Sequence, residues 1–370
     1  MKSLLKLSKQ LWKYKTEIFP PFSKRSNELV KRFWRIYISP PVETKQFIDL
    51  EQFEENILKL ESVKTGLQPK QVAITPDKKT AFVSCMEGKK IQIFSISPKL
   101  KLIDEIPFPE QCVEIVIKGN ICFVTTSDFK KETSQQNILW IIDAKRRKII
   151  SSIPTGGNWS KVIAITPDNS QVLISNWKSN SISVIDIKNL KTPKMIQSIE
   201  IKKCPRGIAF TKNGQKAIVT LFHSGNIAEL KNKKGKWEIA FISKSFDEPR
   251  YPGNPRHVLI SSDDQFAYIS NQGRSVIHKW NITERRWEHS YPVGRGPKTI
   301  DFLGEDKNKI LVTCSGSDRV CLLDLKSGEI VGVSQKTGAL TTGLCSLSKS
   351  DFLVTGFEDS TLERFTIPGR

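Results

Sequence analysis

Short runs of Val, Ile, Leu and Phe, many of them with a period of two, recur along the chain from about Asn56 to Ile367. Ser181-Ile182-Ser183-Val184-Ile185-Asp186 and Val320-Cys321-Leu322-Leu323-Asp324 are typical, and alternation at that period predicts strands that turn one face to a core. The runs are β-branched and are punctuated by Pro-Asp, Asn-Gly and Ser-Gly pairs. That combination argues against a helical solenoid and for an all-β chain of short strands and tight turns.

The pattern repeats. Lys70-Gln71-Val72-Ala73-Ile74-Thr75-Pro76-Asp77 returns as Lys161-Val162-Ile163-Ala164-Ile165-Thr166-Pro167-Asp168, and in looser form at Arg206 to Gly214, Arg256 to Asp263 and Lys298 to Asp306. Taking the residue in the Lys70 position as a marker gives Lys70, Gln111, Lys161, Arg206, Arg256, Lys298 and Thr342, at spacings of 41, 50, 45, 50, 42 and 44 residues. Each unit holds four apolar runs, which predicts seven four-stranded blades of a β-propeller. The last unit stops after its third run, Leu362 to Ile367, while an orphan fourth run, Asn56 to Val63, precedes the first. Their pairing would close the ring and remove its exposed edges. The predicted division is a basic N-terminal arm over residues 1–45 and a propeller over 46–370.

The residues that carry the repeat, a basic residue followed by Val-Ala-Ile-Thr-Pro-Asp, then Phe-Val-Ser, then Ser-Val-Ile-Asp, resemble the YVTN-type β-propeller repeat, akin to WD-repeat and lactonase-like propellers. The resemblance implies the fold and leaves the function open, because propellers host many unrelated activities.

Equivalent positions of a ring lie around one axis, so the markers are expected at one mouth of the central channel. Five of them, Lys70, Lys161, Arg206, Arg256 and Lys298, are cationic. Cations facing a confined mouth focus the field on an anion or an acidic protein segment; the bland alternative is a turn preference repeated by descent, with the side chains in solvent. Glu114 and Asp301 are read as sharing the position held by Ala73, Ala164 and Ala209, near the axis, where a buried carboxylate needs a partner. With His257 and Arg256 they form a candidate acid–base cluster for a lactonase-like hydrolase, against the plainer reading of an internal salt bridge. The leading expectation is a non-enzymatic scaffold or recognition module, binding at Lys70, Lys161, Arg206, Arg256, His257 and Lys298.

Charge and composition sharpen this picture. The chain of 370 residues carries 58 Lys and Arg against 38 Asp and Glu, a net charge of +20. This favours acidic partners, and nucleic acid is the weaker choice because an aromatic–basic groove signature is missing. Residues 1–40 alone hold ten Lys or Arg and two Glu. Leu4, Leu11 and Trp12 fall along one predicted helical stripe and Phe33 and Trp34 along a second, with basic residues opposite, a pattern that suits an anionic membrane surface, an acidic partner or simple packing on the propeller. The arm has no continuous apolar core of the secretory kind, and lysine dominates over the arginine of a mitochondrial presequence. Seven cysteines without paired spacing predict reduced, buried thiols in a cytoplasmic protein, peripheral to a membrane if the arm tethers it. No P-loop, Gly-X-Ser-X-Gly elbow or Cys-X-X-Cys-His occurs, so neither cofactor nor metal is expected, and a monomeric propeller is.

Overall fold

The computed structural model describes residues 47–129, 137–246, 253–305 and 307–369. Among them 28 strands alternate with tight turns, and the one helical element is a short 3-10 turn at Leu50–Gln52. The predicted arm, with Leu4, Leu11, Trp12, Phe33 and Trp34, lies outside the described residues.

The first blade is β2 (Pro69–Ile74), β3 (Thr80–Cys85), β4 (Lys90–Ser95) and β5 (Lys101–Pro107), hydrogen-bonded in that order. Blades two to six begin with β6 (Gln111–Lys118), β10 (Ser160–Ile165), β14 (Pro205–Phe210), β18 (Pro255–Ile260) and β22 (Pro297–Phe302), each followed by three antiparallel partners. The seventh is β26 (Thr341–Ser346), β27 (Asp351–Gly356), β28 (Thr361–Thr366) and, as its outer strand, β1 (Glu55–Lys64). Consecutive innermost strands pack on one another all the way round, and β26 packs on β2. The chain is therefore a closed seven-bladed β-propeller.

The Thr-Pro-Asp repeat is a turn device. The Thr75 hydroxyl donates to Asp77 at 2.6 Å and accepts the Thr80 N–H at 3.2 Å, while Asp77 accepts the Lys79 N–H at 3.1 Å. Thr166 and Asp168 repeat the arrangement with the same 2.6 Å bond. These local bonds satisfy the backbone of a hairpin too tight to satisfy itself.

Six of the seven innermost strands bulge after their first residue, as between Pro205 and Ile208 or Pro255 and Val258, and the second blade's bulges one residue later, between Cys112 and Glu114. A bulge kinks the strand and re-aims the side chain it carries, here Arg206 and Arg256. The freed backbone groups are met by a buried hydroxyl on the second strand. Thr220 accepts the Gly207 N–H at 2.7 Å and donates to the Arg256 carbonyl of the next blade at 3.1 Å. Ser270 accepts the His257 N–H at 3.0 Å and donates to the Lys298 carbonyl at 2.7 Å. Ser84, Ser175, Thr313 and Thr355 accept the corresponding N–H in their own blades. Gly207 is required where it stands, since a Cβ there would lie 2.5 Å from the Arg256 carbonyl oxygen.

The pairing corrects the sequence reading of the second blade. Ile115 pairs with Val124 as Ile208 pairs with Val219, so the marker position in this blade belongs to Val113 and not to Gln111. Gln111 is spent on a loop, donating to Glu87 at 2.9 Å and accepting the Phe129 N–H at 3.3 Å. Glu114 then corresponds to Gly207 and His257, whereas Asp301 corresponds to Ala209, and the two carboxylates do not share a position. A shift of two residues preserves the in–out alternation of a strand, which is why the apolar pattern did not reveal it.

Hydrophobic clusters straddle neighbouring blades. Phe82 and Ile93 pack with Ile115 and Val124, and Leu173 and Val184 with Ile208 and Val219. A single blade leaves those faces in water, at about 1.5–3 kcal/mol per large side chain, so the ring is stable only when complete. At the join, β1 pairs antiparallel with β28, from Leu58 opposite Thr366 to Lys64 opposite Thr361. It also meets β25 (Ile330–Ser334) in parallel through Glu55 and Ile57, and Ile57 is fully buried.

Candidate functional site

The bulges direct side chains into the channel at the end where the innermost strands begin. A cavity there, about 390 Å³ including its open mouth, is lined by Lys70, Arg206, Arg256, Lys298 and Thr342 from the marker positions, and by Gln71, Glu114, Val162, His257 and Thr299 from the positions at or after each bulge. Lys161 stands beside this group, close enough for Lys70, Arg206, Arg256 and Glu114 to perturb its charge. Five cations and one carboxylate thus crowd one mouth.

Their contacts are mostly with neutral groups. The Lys70 ammonium donates to the Val113 carbonyl at 3.0 Å and stands 4.0 Å from the Glu114 carboxylate, with only 11% and 13% of the two side chains exposed. A separation of 4.0 Å is an ion pair without a hydrogen bond. Arg256 donates to Gln272 at 2.5 Å, and Lys298 to the Thr342 hydroxyl at 3.2 Å. The guanidinium carbons of Arg206 and Arg256 lie 5.6 and 5.8 Å from the centre of the Phe222 ring.

Burial disfavours the charge on four of these cations. Burial first, then Arg206 and Arg256, bring the Lys70 ammonium down to about 7 despite Glu114. Lys161 is pushed well below the ordinary lysine range by burial, then by Lys70 and the two arginines. Burial lowers Arg206 to about 10, and burial and then Arg206 push Arg256 well below the ordinary arginine range. Guanidinium groups keep their proton, so the displacement is the cost of burying charge, to which repulsion by Arg206 adds at Arg256, and an anion would offset both. Burial raises Glu114, with Lys70, Arg206 and Lys161 acting against it, so desolvation outweighs attraction for both members of the Lys70–Glu114 pair.

His257 is held neutral, at about 4, by burial and by Arg206 and Arg256, and its Nδ1 accepts the Ile300 N–H at 3.4 Å. It shares the cavity with Glu114 and Arg256. Asp301 does not join them: it accepts the Ser346 N–H at 2.9 Å, and burial raises it to about 6. The fourfold cluster expected from sequence is therefore divided, with Glu114, His257 and Arg256 at the mouth and Asp301 deeper, tied to the next blade. Among the described residues no three His, Cys, Asp or Glu side chains are grouped to hold a metal ion. All seven cysteines are free thiols, five of them buried. No helix among the described residues is long and apolar enough to cross a membrane.

Reasoning from sequence passed over an aromatic row on the same rim. Phe129, Trp177 and Phe222 follow the ends of second strands and Trp159 precedes Ser160, so all four lie where the innermost strands begin. Phe129 meets Trp159 edge-on at 5.3 Å, Trp159 stacks on Trp177 at 5.2 Å with an interplanar angle of 2°, and Trp177 meets Phe222 at 5.8 Å. The Lys161 ammonium lies 3.9 Å from the Phe129 ring centre and 5.6 and 6.0 Å from those of Trp159 and Trp177. One aromatic just after the second strand in successive units is the signal that could have found this row.

Comparison with known proteins agrees with the architecture. A family model described as "Lactonase, 7-bladed beta-propeller" matches residues 132–252. The chain is 26% identical over 275 residues to Antigen Lp49 of Leptospira interrogans, a match that takes in 73% of this chain and 58% of the relative's length. Its fold is similar, with a TM-score of 0.64 and 16% identity, to the crystal structure of a functionally unknown protein from Desulfotomaculum acetoxidans, over 77% of this chain and 92% of that one. By strand order and by likeness, this chain is a β-propeller.

Proposed function

We propose that the protein is a non-enzymatic recognition module that takes a carboxylate- or phosphate-bearing group, borne by an acidic protein segment or a small anion, at the cationic channel mouth. One observation carries the reading: five half-buried cations share a mouth with a single carboxylate, and burial disfavours the charge on four of them. An anion seated among them gains charge-assisted hydrogen bonds and relieves repulsion together. Titration with citrate tests it by calorimetry, comparing the natural chain with the Arg206→Ala, Arg256→Ala double variant. Each lost charged hydrogen bond should weaken binding by about 1.5–3 kcal/mol. Equal heats from both proteins would remove the assignment.

A lactonase-like hydrolase is the second reading, favoured by the family match over residues 132–252 and by Glu114 lying in the cavity with His257. Against it stands the enclosure of Glu114 by Lys70. Turnover of a panel of lactones, lost in Glu114→Gln, would establish it. The YVTN-type repeat, the cytoplasmic location and the arm as a tether to anionic membranes complete the proposal. Co-sedimentation of the chain with and without residues 1–45 on phosphatidylserine vesicles checks the tether.

A further inference from the structure

The cationic mouth has an asymmetric rim. On the side of blades two to four the rings of Phe129, Trp159, Trp177 and Phe222 run in steps of 5.3, 5.2 and 5.8 Å. On blades five and six the residues that follow the second strand are Gln272 and Ser315. The row is joined to the mouth at both ends by charge: Lys161 sits on Phe129, and Arg206 and Arg256 on Phe222. The exposed ring of His223 flanks its end, 5.2 Å from Trp177 and 5.1 Å from Phe222, and Lys178 lies 5.4 Å from Trp159.

We infer that this row is a shelf on which an acidic protein segment lies, with an aromatic side chain of the segment against the rings and a neighbouring carboxylate in the cationic mouth. The inference rests on the recognition function proposed above and specifies its ligand. Two observations favour an extended segment over a small anion. The row is longer than one small molecule and accommodates roughly four or five residues of extended chain at about 3.3 Å each. Trp and Arg together, at a partly desolvated centre, are the residue types that dominate binding between proteins. The charge selects the sign of the partner: cations flank the row at Lys161, Lys178, Arg206 and Arg256.

The test uses the full chain and two fluorescently end-labelled hexapeptides, Asp-Glu-Phe-Glu-Asp-Glu and its Phe-to-Ala counterpart, read by anisotropy. The Phe peptide should bind at least tenfold more tightly than the Ala peptide. Trp177→Ala should erase that difference while leaving the weak, salt-sensitive binding of the Ala peptide in place. His223→Glu, a change at an exposed position, should weaken the Phe peptide at least fivefold without altering the melting temperature, and so serves if Trp177→Ala fails to fold. Equal binding of the two peptides, abolished in both by Arg206→Ala with Arg256→Ala, would overturn the shelf and leave the mouth intact. Binding of neither peptide, together with no heat from citrate, would overturn both readings.

Discussion

The Lys70 ammonium donates to the backbone carbonyl of Val113 across the boundary between the first and second blades, 3.0 Å away. Val113 occupies the position that is cationic in five other blades. An apolar residue there leaves a carbonyl that the neighbouring lysine reaches, and it opens the space in which Glu114 meets the same ammonium. The second blade is thus where the ring of charge is both interrupted and partly neutralised.

Replacing Arg206 and Arg256 together by Ala removes two like charges that are within range of each other and of Lys70. The double variant should melt at the same temperature as the natural chain or higher, measured at low ionic strength, and the gain should shrink in 0.5 M salt. A lower melting temperature would assign the two arginines to holding the ring together.

Lys70 titrates near 7 in the folded chain against an ordinary 10.5. The unfolded chain therefore binds more protons between those values, and stability should rise with pH across that window. An anion at the mouth favours the charged ammonium, so its binding should take up protons at pH 8 and weaken as pH rises through 7. Calorimetry in two buffers of different ionisation enthalpy measures the uptake, which should fall in Lys70→Met, with Lys161 supplying what remains.

Asp301 titrates near 6 against an ordinary 3.8. The folded chain binds the extra proton between these values, so ionisation of Asp301 subtracts stability as pH rises through the window. Asp301→Asn should be stabilised by about 1–2 kcal/mol at pH 8, after allowance for partial exposure, and unchanged below pH 4. Urea titrations at the two pH values decide it; an unchanged or lower midpoint at pH 8 would contradict the account.

Thr220 is fully buried and bonded to two blades at once. Thr220→Val keeps its shape and strands the Gly207 N–H and the Arg256 carbonyl. A loss of about 2–4 kcal/mol is expected from two unsatisfied buried groups. Thr125→Val, at the equivalent position, breaks the hydrogen bond to the Lys161 carbonyl at 3.1 Å and should cost about half as much in the same denaturant titration.

The all-β architecture was legible because alternation, Thr-Pro-Asp turns and the repeat length all pointed one way. The site was legible only in part. Lys70, Arg206, Arg256 and Lys298 are marked by the proline before each, which starts the strand and fixes the bulge that follows. The second blade has no such proline at the bulge, and a two-residue slip there is silent in the apolar pattern; hence the sequence repeat points to Gln111 where the structure has Val113, and aligns Glu114 with Asp301. The seven hydroxyls of the second strands read as ordinary alternating polar residues, since nothing in one strand announces the bulge it serves or, for Thr125, Thr220 and Ser270, the carbonyl of the next blade. Trp159 and Trp177 are distant from Phe129 and Phe222 in sequence, and only the packing of consecutive blades sets them in a row.

The double pairing of β1 sets an order of events during synthesis. Leu58 is made early, and its partner Thr366 emerges some 300 residues later, roughly 15–60 s at ordinary elongation rates. Through that interval the nascent chain holds a strand with exposed Leu58 and Leu60 side chains and no neighbour on either side. The clasp that completes the ring is also the interval in which the unfinished chain is most open to pairing with another copy of itself, so its yield should depend on how many chains are being made at once.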